Sequence, residues 1–326
     1  MNLYWKDILD IEGNWMYLHI DISASNAACR IYSGGHKRFK LSKNTDTLFW
    51  GTIDQYFGVW FLRNDLFWES NTGIIPPIKS NLIETLKQEN KVHNEQYWSR
   101  FFAKELSKSE YSFLNNGTWS ISKAIINRSV SEKWRVTNLE SSFDCQPLSY
   151  IQWGITRNSI IIPLKGKPHL QMGRLKWWRK KVREHACPPI LVWFVNSLDC
   201  FVLIDGHHRL QACLLEQIPP SIYVINEVRK HTYNTDHKAL REKALHRIEL
   251  ISKNQKGNQL DVPLINSILT HAYQDFSELR PMTRAIAKSQ FETQWIKEVD
   301  QFKDLSNINL ETFEVMIKNR NARNNQ

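Results

Sequence analysis

Short apolar runs separated by polar turn residues dominate the first part of the chain. The runs are rich in aromatic and β-branched residues and cover residues 15–22, 28–32, 38–41, 47–53 and 56–62. Such runs favour strands, and Ser33-Gly34-Gly35 between two of them is a turn signal. We therefore expect an antiparallel sheet in an aromatic, β-rich N-terminal region. Paired prolines at 76 and 77 interrupt regular structure, so we bound this region at residues 1–75.

Apolar residues change to helical spacing after these prolines. They stand at positions 82, 86, 97, 101 and 106, which predicts helix within residues 80–108. The next segment, residues 110–145, contains the turn signal Asn115-Asn116-Gly117 but has no clear period. We treat residues 76–145 as a helical or mixed connecting region.

The central region, residues 146–230, alternates strand and helix patterns. Strands are predicted at residues 159–164, 190–195, 200–204 and 221–225, and helices at residues 173–185 and 206–217. The middle two strands are apolar throughout, so we expect both faces of the hairpin that they form to be covered.

Helical spacing returns after the central region. It covers residues 239–251, 264–273 and 291–302, in a helical C-terminal region that we bound at residues 231–326. The sequence therefore predicts an α/β (α+β) protein whose central domain is flanked by a β-rich start and a helical end.

Composition narrows the class of protein. A length of 326 residues suggests about two domains of roughly 150 residues, and a hydrophobic fraction of 42% excludes a disordered chain. Lys and Arg number 43 against 33 Asp and Glu, so the formal charge of +10 favours a polyanionic partner or substrate.

Three observations concern location. The longest apolar runs are strand-sized, well short of the roughly 20 residues that span a bilayer, so we expect no membrane segment. The start of the chain lacks the basic and apolar stretches of a secretory signal. The five cysteines are widely spaced and include no Cys-x-x-Cys pair. We expect a cytoplasmic protein without a metal site of its own.

The most informative motif is Asp205-Gly206-His207-His208-Arg209, which lies between an apolar strand and a helix. Glycine permits a tight turn, and the first amides of a helix form an anion site. Arg209 adds a donor fork for phosphate, His207 and His208 can bond or exchange protons, and Asp205 can orient a hydroxyl or a metal-bound water. The alternative is structural: Asp205 caps the helix, and one histidine is buried and satisfied.

Pro188-Pro189-Ile190-Leu191-Val192, the hairpin and this Asp-Gly-His-His-Arg box together resemble the core of the ParB/sulfiredoxin superfamily. The resemblance covers about residues 147–227, and the form of the box is similar to the branch that contains free-serine kinases and ParB-like proteins. It implies that the box holds nucleotide phosphates, through Gly206, His207, His208 and Arg209. Asp205, His207 and His208 would then be the catalytic candidates, and the ligand would be ATP or CTP with Mg²⁺.

The sequence departs from that pattern at two places. Serine kinases of this branch carry a glutamate as the base shortly before the first helix, but residues 165–172 contain no carboxylate, and neither His169 nor Glu184 matches its position. Sulfiredoxins have a cysteine inside the box where this chain has His207. Turnover is therefore left open, and a sulfinic-acid reductase is disfavoured.

Eight basic residues and no acidic one lie between Lys165 and Arg183. Arg174, Arg179, Lys180 and Arg183 are candidates for secondary contacts with phosphate or nucleic acid, with Trp177 available for stacking on a base. The alternative is a solvated helix face.

These observations lead to one expected function and two alternatives. We expect a bacterial or phage protein that binds a nucleoside triphosphate at the box, with phosphoryl transfer or nucleotide hydrolysis as the reaction class. The first alternative is a DNA-binding ParB-like regulator or nuclease that uses the basic helix at 173–185. The second is a non-catalytic interaction protein, such as an immunity or defence component, with no protein partner specified.

Overall fold

The structure is a computed structural model that describes most of the chain. The described residues are 1–10, 12–34, 37–54, 57–70, 73–124, 136, 139, 146–153, 160–232, 237–254, 262–273, 277–303 and 309–318. Helices and mixed sheets both contribute, which confirms the α/β class. Parts of two predicted strands, Tyr56 and Ser159, and most of residues 125–145 lie outside the described residues.

The strands are numbered in chain order. They are β1 (Asn2–Leu9), β2 (Trp15–Ser23), β3 (Cys29–Ser33), β4 (Arg38–Lys43), β5 (Asp46–Asp54), β6 (Gly58–Arg63), β7 (Gly117–Ala124), β8 (Leu148–Gln152), β9 (Ile161–Pro163), β10 (Ile190–Val195), β11 (Cys200–Asp205), β12 (Ile222–Thr232), β13 (Ser277–Met282) and β14 (Ala285–Ala287).

The helices are numbered in the same way. They are α1 (Asp65–Ser70), α2 (Ser80–Gln88), α3 (Glu95–Lys108), α4 (Gly173–Arg183), α5 (His207–Glu216), α6 (His237–Asn254), α7 (Val262–Tyr273), α8 (Phe291–Asp300) and α9 (Leu310–Lys318). The helix patterns at 80–108, 173–185, 206–217 and in the C-terminal region are therefore confirmed.

Two sheets organise the strands. The larger has the order β1-β2-β7-β12-β10-β11-β9, and the smaller has the order β14-β3-β4-β5-β6-β8. In the smaller sheet, β3 to β6 form the expected antiparallel meander. The expectation that residues 15–22 join that meander is wrong, because β2 pairs with β1 and β7 in the larger sheet. The apolar pattern of β2 predicts a strand but does not predict which strands pair with it. One of its partners, β7, lies about a hundred residues later in the chain.

Two of the hydrophobic clusters in the core lie on the two faces of the central hairpin, and a third packs α8 and α9 against the smaller sheet. Leu191, Trp193 and Val195 of β10 belong to a cluster that also contains side chains of both sheets, such as Ile20 and Phe49. The alternate residues of β10 belong to a second cluster, with Leu203 and Leu210 among others. Both faces are thus buried, as the continuous apolar pattern predicts.

The chain divides into two compact units. The first comprises Met1–Glu227 and Pro281–Gln326, and it contains both the β-rich start and the central region with its motif. The second, Val228–Arg280, contains the end of β12, the helices α6 and α7, and the start of β13, which pairs with β12. All the site residues described below lie in the first unit.

Candidate functional site

Strand register brings distant parts of the chain to one edge of the larger sheet. β9 and β11 are parallel, with Pro163 opposite Leu203. Two residues further along each strand, Lys165 and Asp205 therefore emerge side by side. β10 runs antiparallel to β11, so the segment before it, which includes Pro189, reaches the same edge. Two separate segments, one after β9 and one before β10, thus flank the Asp-Gly-His-His-Arg box.

Gly206 makes the turn between β11 and α5. Its φ of +105° lies in the left-handed region, and a Cβ at this position would come within 2.6 Å of Ile190 Cγ2. The Leu210 amide donates to the Gly206 carbonyl at 2.8 Å, which closes the first turn of the helix. The preceding amides, those of residues 207–209, have no carbonyl partner within the helix and carry its positive end.

Arg209 points into the protein. Its Nη2 donates to Asp205 Oδ2 at 2.5 Å and to the Pro189 carbonyl at 3.0 Å. The guanidinium carbon lies 5.4 Å from the centre of the Trp178 ring, and the residue is only 2% exposed. Arg209 therefore ties β11, α5 and the segment before β10 together.

His207 and His208 are both held in the neutral form. Burial and the nearby Lys165 charge lower the pKa of His207 well below its usual value, and its Nε2 accepts a 3.3 Å hydrogen bond from the Lys165 amide. Burial and the Arg174 charge lower the pKa of His208. The Nε2 of His208 is buried and has no hydrogen-bond partner among the described residues. These two rings can act as neutral donors or acceptors at physiological pH.

Cations outweigh anions around the box. Burial lowers the pKa of Lys165, and burial together with Arg209 lowers the pKa of Arg174, while Asp205 opposes both shifts. Several charged groups shift the pKa values of Lys165, Arg174 and the two histidines. Among the described groups that do so, Asp205 is the one carboxylate. A site where positive charges destabilise one another favours an anion that can neutralise them.

A protein-held Mg²⁺ does not fit these residues. Asp205 Oδ2 is engaged by Arg209, and no carboxylate among the described residues accompanies Asp205 at the box. Within the described ranges, no group of three or more His, Cys, Asp or Glu side chains is arranged to hold a metal ion. A divalent cation here would have to be carried by the oxygens of the ligand itself.

The basic helix α4 divides into two ends with different surroundings. Arg174, at its start, is close enough to the box to influence the His208 pKa. At the other end, Arg179 and Arg183 lie 2.5 and 3.0 Å from Glu216 Oε1 on α5, and Lys180 lies 3.9 Å from Glu184. Of the four predicted secondary contacts, the structure brings only Arg174 to the box, and much of the remaining positive charge is compensated within the protein.

The other side chains considered from sequence lie in different settings. Lys181 and Lys87 bond to Glu184 and lower its pKa to about 2, so this group is a paired carboxylate. Trp177 packs against the neighbouring Trp178, with ring centres 4.4 Å apart.

Sequence reasoning did not single out Lys165, Pro189 or Trp178 as parts of the box. The one sequence signal for Lys165 was its position two residues beyond a short apolar strand. That position predicts a place beside the box only if the strand is known to run parallel to β11.

Comparisons with known proteins do not extend this description. No family model, no curated protein and no solved structure matches the chain. Among the described helices, none combines the length and apolar character needed to cross a bilayer.

Proposed function

We propose that the chain binds a nucleoside triphosphate, ATP or CTP, with its phosphates at the start of α5. The observation that carries this proposal is the convergence of Lys165, Arg174 and the free helix amides on one turn. The lowered pKa values of His207 and His208 are consistent with it, because the charges of Lys165 and Arg174 add to the effect of burial, which is their main cause. The resemblance of the box to the ParB/sulfiredoxin superfamily is consistent with the same ligand.

The side chains divide into two roles. The amides of residues 207–209 and the cations of Lys165 and Arg174 contact the phosphates, in the way that helix N-termini and basic side chains hold anions. Asp205 and Arg209 hold the turn that presents those amides, because their side chains form a hydrogen-bonded ion pair. Mg²⁺, where present, arrives on the triphosphate.

Phosphoryl transfer or nucleotide hydrolysis is the reaction class that we propose for this ligand. Such chemistry depends mainly on positioning and on charge neutralisation, which the cations provide. Because the His208 Nε2 has no hydrogen-bond partner within the described part of the chain, this ring is the candidate to accept a proton from an attacking hydroxyl or water.

A nucleotide panel tests the binding. Thermal unfolding and calorimetry with ATP, CTP and GTP, each with Mg²⁺, should show stabilisation by one or more of them in the wild type. Lys165→Met and Arg174→Met should weaken binding on the order of tenfold, as expected for the loss of a charge-assisted contact. Lys180→Met, on the same helix as Arg174 but paired with Glu184, is the matched control and should bind like the wild type. Absence of stabilisation by all three nucleotides would refute the proposal.

Two further measurements separate the alternatives. Phosphate release by the wild type but not by His208→Ala would indicate turnover, and binding without release by either would leave a nucleotide-binding protein. Retention of DNA that falls steeply with salt and is lost in the Arg179, Lys180 and Arg183 triple alanine variant would favour the DNA-binding alternative instead.

A further inference from the structure

A cavity is lined by Pro188 and Pro189, by Cys213 of α5, and by residues 218–221 after that helix. Its volume is about 610 Å³, and two thiols contribute to its wall. Among its lining residues are Cys187, Cys213, His93, His185, Trp98 and Tyr223. None of the residues proposed to contact the nucleotide is among those that line this cavity.

The fold brings the two thiols together from different elements. Cys187 lies in the loop between α4 and β10 and is partly exposed, whereas Cys213 lies in the second turn of α5 and is 3% exposed. Cys213 is four residues after Arg209, so the two side chains share one face of the helix. Both thiols line the cavity, each shifts the pKa of the other, and neither is in a disulfide. The Cys187 thiol donates a hydrogen bond to the Pro188 carbonyl at 3.6 Å.

The proximity of the two thiols moves their pKa values in opposite directions. The hydrogen bond from Cys213 and the positive charge of Arg209 lower the pKa of Cys187, against the effect of burial. The bond to Cys187 and burial raise the pKa of Cys213. A thiolate is the form that attacks an electrophile, and a neighbouring thiol can then resolve the product.

The two other described cysteines are unlike this pair. Cys29 and Cys200 are both 0% exposed, and burial raises the pKa of Cys29. They are inert core residues, which makes them internal references for reactivity at the cavity.

We propose that Cys187 and Cys213 are a redox-active dithiol that a small hydroperoxide, admitted through the cavity, converts into a disulfide. The Cys187 thiolate attacks the terminal peroxide oxygen, the O–O bond breaks, and the leaving alkoxide or hydroxide takes up a proton to give an alcohol or water. Cys187 is then a sulfenic acid. Cys213 attacks its sulfur, the S–O bond breaks, and the departing hydroxide takes the Cys213 proton to form water. Overall the protein loses two electrons and two protons, and the peroxide is reduced.

Mass spectrometry of the full chain treated with hydrogen peroxide tests this proposal. We expect the intact mass to fall by two hydrogen atoms and peptide mapping to join Cys187 to Cys213. In Cys213→Ser the sulfenic acid should persist at Cys187 and react with a dione probe. In Cys187→Ser no disulfide should form, and Cys213 should stay reduced because it is buried.

Alkylation of the untreated wild type gives a measurement that needs no variant. Iodoacetamide should label Cys187 faster than Cys200, by on the order of tenfold or more, because thiolate fraction and access both favour it. Equal labelling of the two, or peroxide oxidation of Cys187 without a bond to Cys213, would overturn the proposal. The outcome does not depend on nucleotide binding, since neither reagent contains a phosphate.

Discussion

Arg209 and Asp205 hold each other across the turn that starts α5, with Nη2 and Oδ2 2.5 Å apart. Their side chains are 3% and 14% exposed, so the pair is nearly dry. The Pro189 carbonyl takes a second hydrogen bond from the same nitrogen. In sequence, Arg209 resembles a residue that contacts a ligand. In the structure it instead braces the turn, through its bonds to Asp205 and Pro189.

Removal of one partner of this brace should be costly. Arg209→Met leaves Asp205 charged and enclosed, and we expect the free energy of unfolding to fall by about 3–5 kcal/mol in denaturant titrations. Adding Asp205→Asn to this variant should recover part of the loss, because the uncompensated charge is gone. A double variant as unstable as the sum of the two single variants would show that the two residues act independently.

Gly206 should not tolerate a side chain. Gly206→Ala places a Cβ 2.6 Å from Ile190 Cγ2 in a backbone with φ of +105°, and we expect a loss of at least about 1–3 kcal/mol in thermal or denaturant unfolding. The matched control is Gly173→Ala at the start of α4, where a Cβ meets nothing within 4 Å. That substitution should be neutral or stabilising by up to about 1 kcal/mol. Equal effects at both positions would contradict the strained turn.

The two histidines of the box should make stability fall at acidic pH. Their pKa values are lowered in the folded protein from the ordinary value of 6.5, so below that pH the unfolded chain binds more protons. The free energy of unfolding should therefore decrease as the pH falls below about 6.5 towards the folded pKa values. Lys165→Met should raise the His208 pKa, which NMR titration measures. An unchanged His208 pKa in this variant would show that the Lys165 charge does not act on His208.

Glu216 forms ion pairs with Arg179 and Arg183 of α4 and so partly neutralises the positive charge of that helix. Arg179 lowers the pKa of Glu216 below 4.5, with Arg183 adding to the effect, so the interaction stabilises the fold above that pH and is lost as the pH falls through the folded pKa. Glu216→Gln should shift acid unfolding to higher pH. It should also release two guanidinium groups and increase the retention of DNA at low salt. If retention is unchanged, these arginines are not a latent nucleic-acid surface.

Glu227 should change the pH dependence of stability in the direction opposite to Glu216, because its pKa is raised and not lowered. Burial raises its pKa to about 7 despite the charge of Arg284, whose Nε lies 2.6 Å from Oε1. Between pH 4.5 and about 7 the folded protein binds more protons than the unfolded chain, so stability falls as the pH rises through 7. Glu227→Gln should flatten the stability profile between pH 4.5 and about 7, as measured by denaturant titration. A profile identical to that of the wild type would contradict the shift.

Local pattern was sufficient for the elements of the box but not for their surroundings. The apolar runs at 190–195 and 200–204, the glycine and the following helical pattern identified the strand, turn and helix, because each depends on neighbouring residues only. The inward direction of Arg209 depends on Pro189 and Trp178, which other segments supply. Sequence spacing carries no information about such contacts.

Strand pairing shows the same limit at the level of the fold. The meander β3 to β6 was predictable, since successive strands joined by short turns usually pair. The larger sheet was not, because β2 pairs with β7 across about a hundred residues and β7 lies in a segment without clear periodicity. Glu216 escaped notice for a related reason: its partners Arg179 and Arg183 lie on another helix.

The larger sheet ends at β9, a strand of three residues that closes with Pro163. Lys165 and the segment up to α4 therefore extend from the margin of the sheet, and no further described strand of that sheet has to be rebuilt when this segment changes. Doubling the length of a surface loop costs only about 0.6 kcal/mol in closure entropy. Insertions, deletions and exchanges between residues 166 and 172 should therefore cost little stability and leave the brace of Arg209 and Asp205 intact, so this segment can diverge in sequence while the turn is preserved.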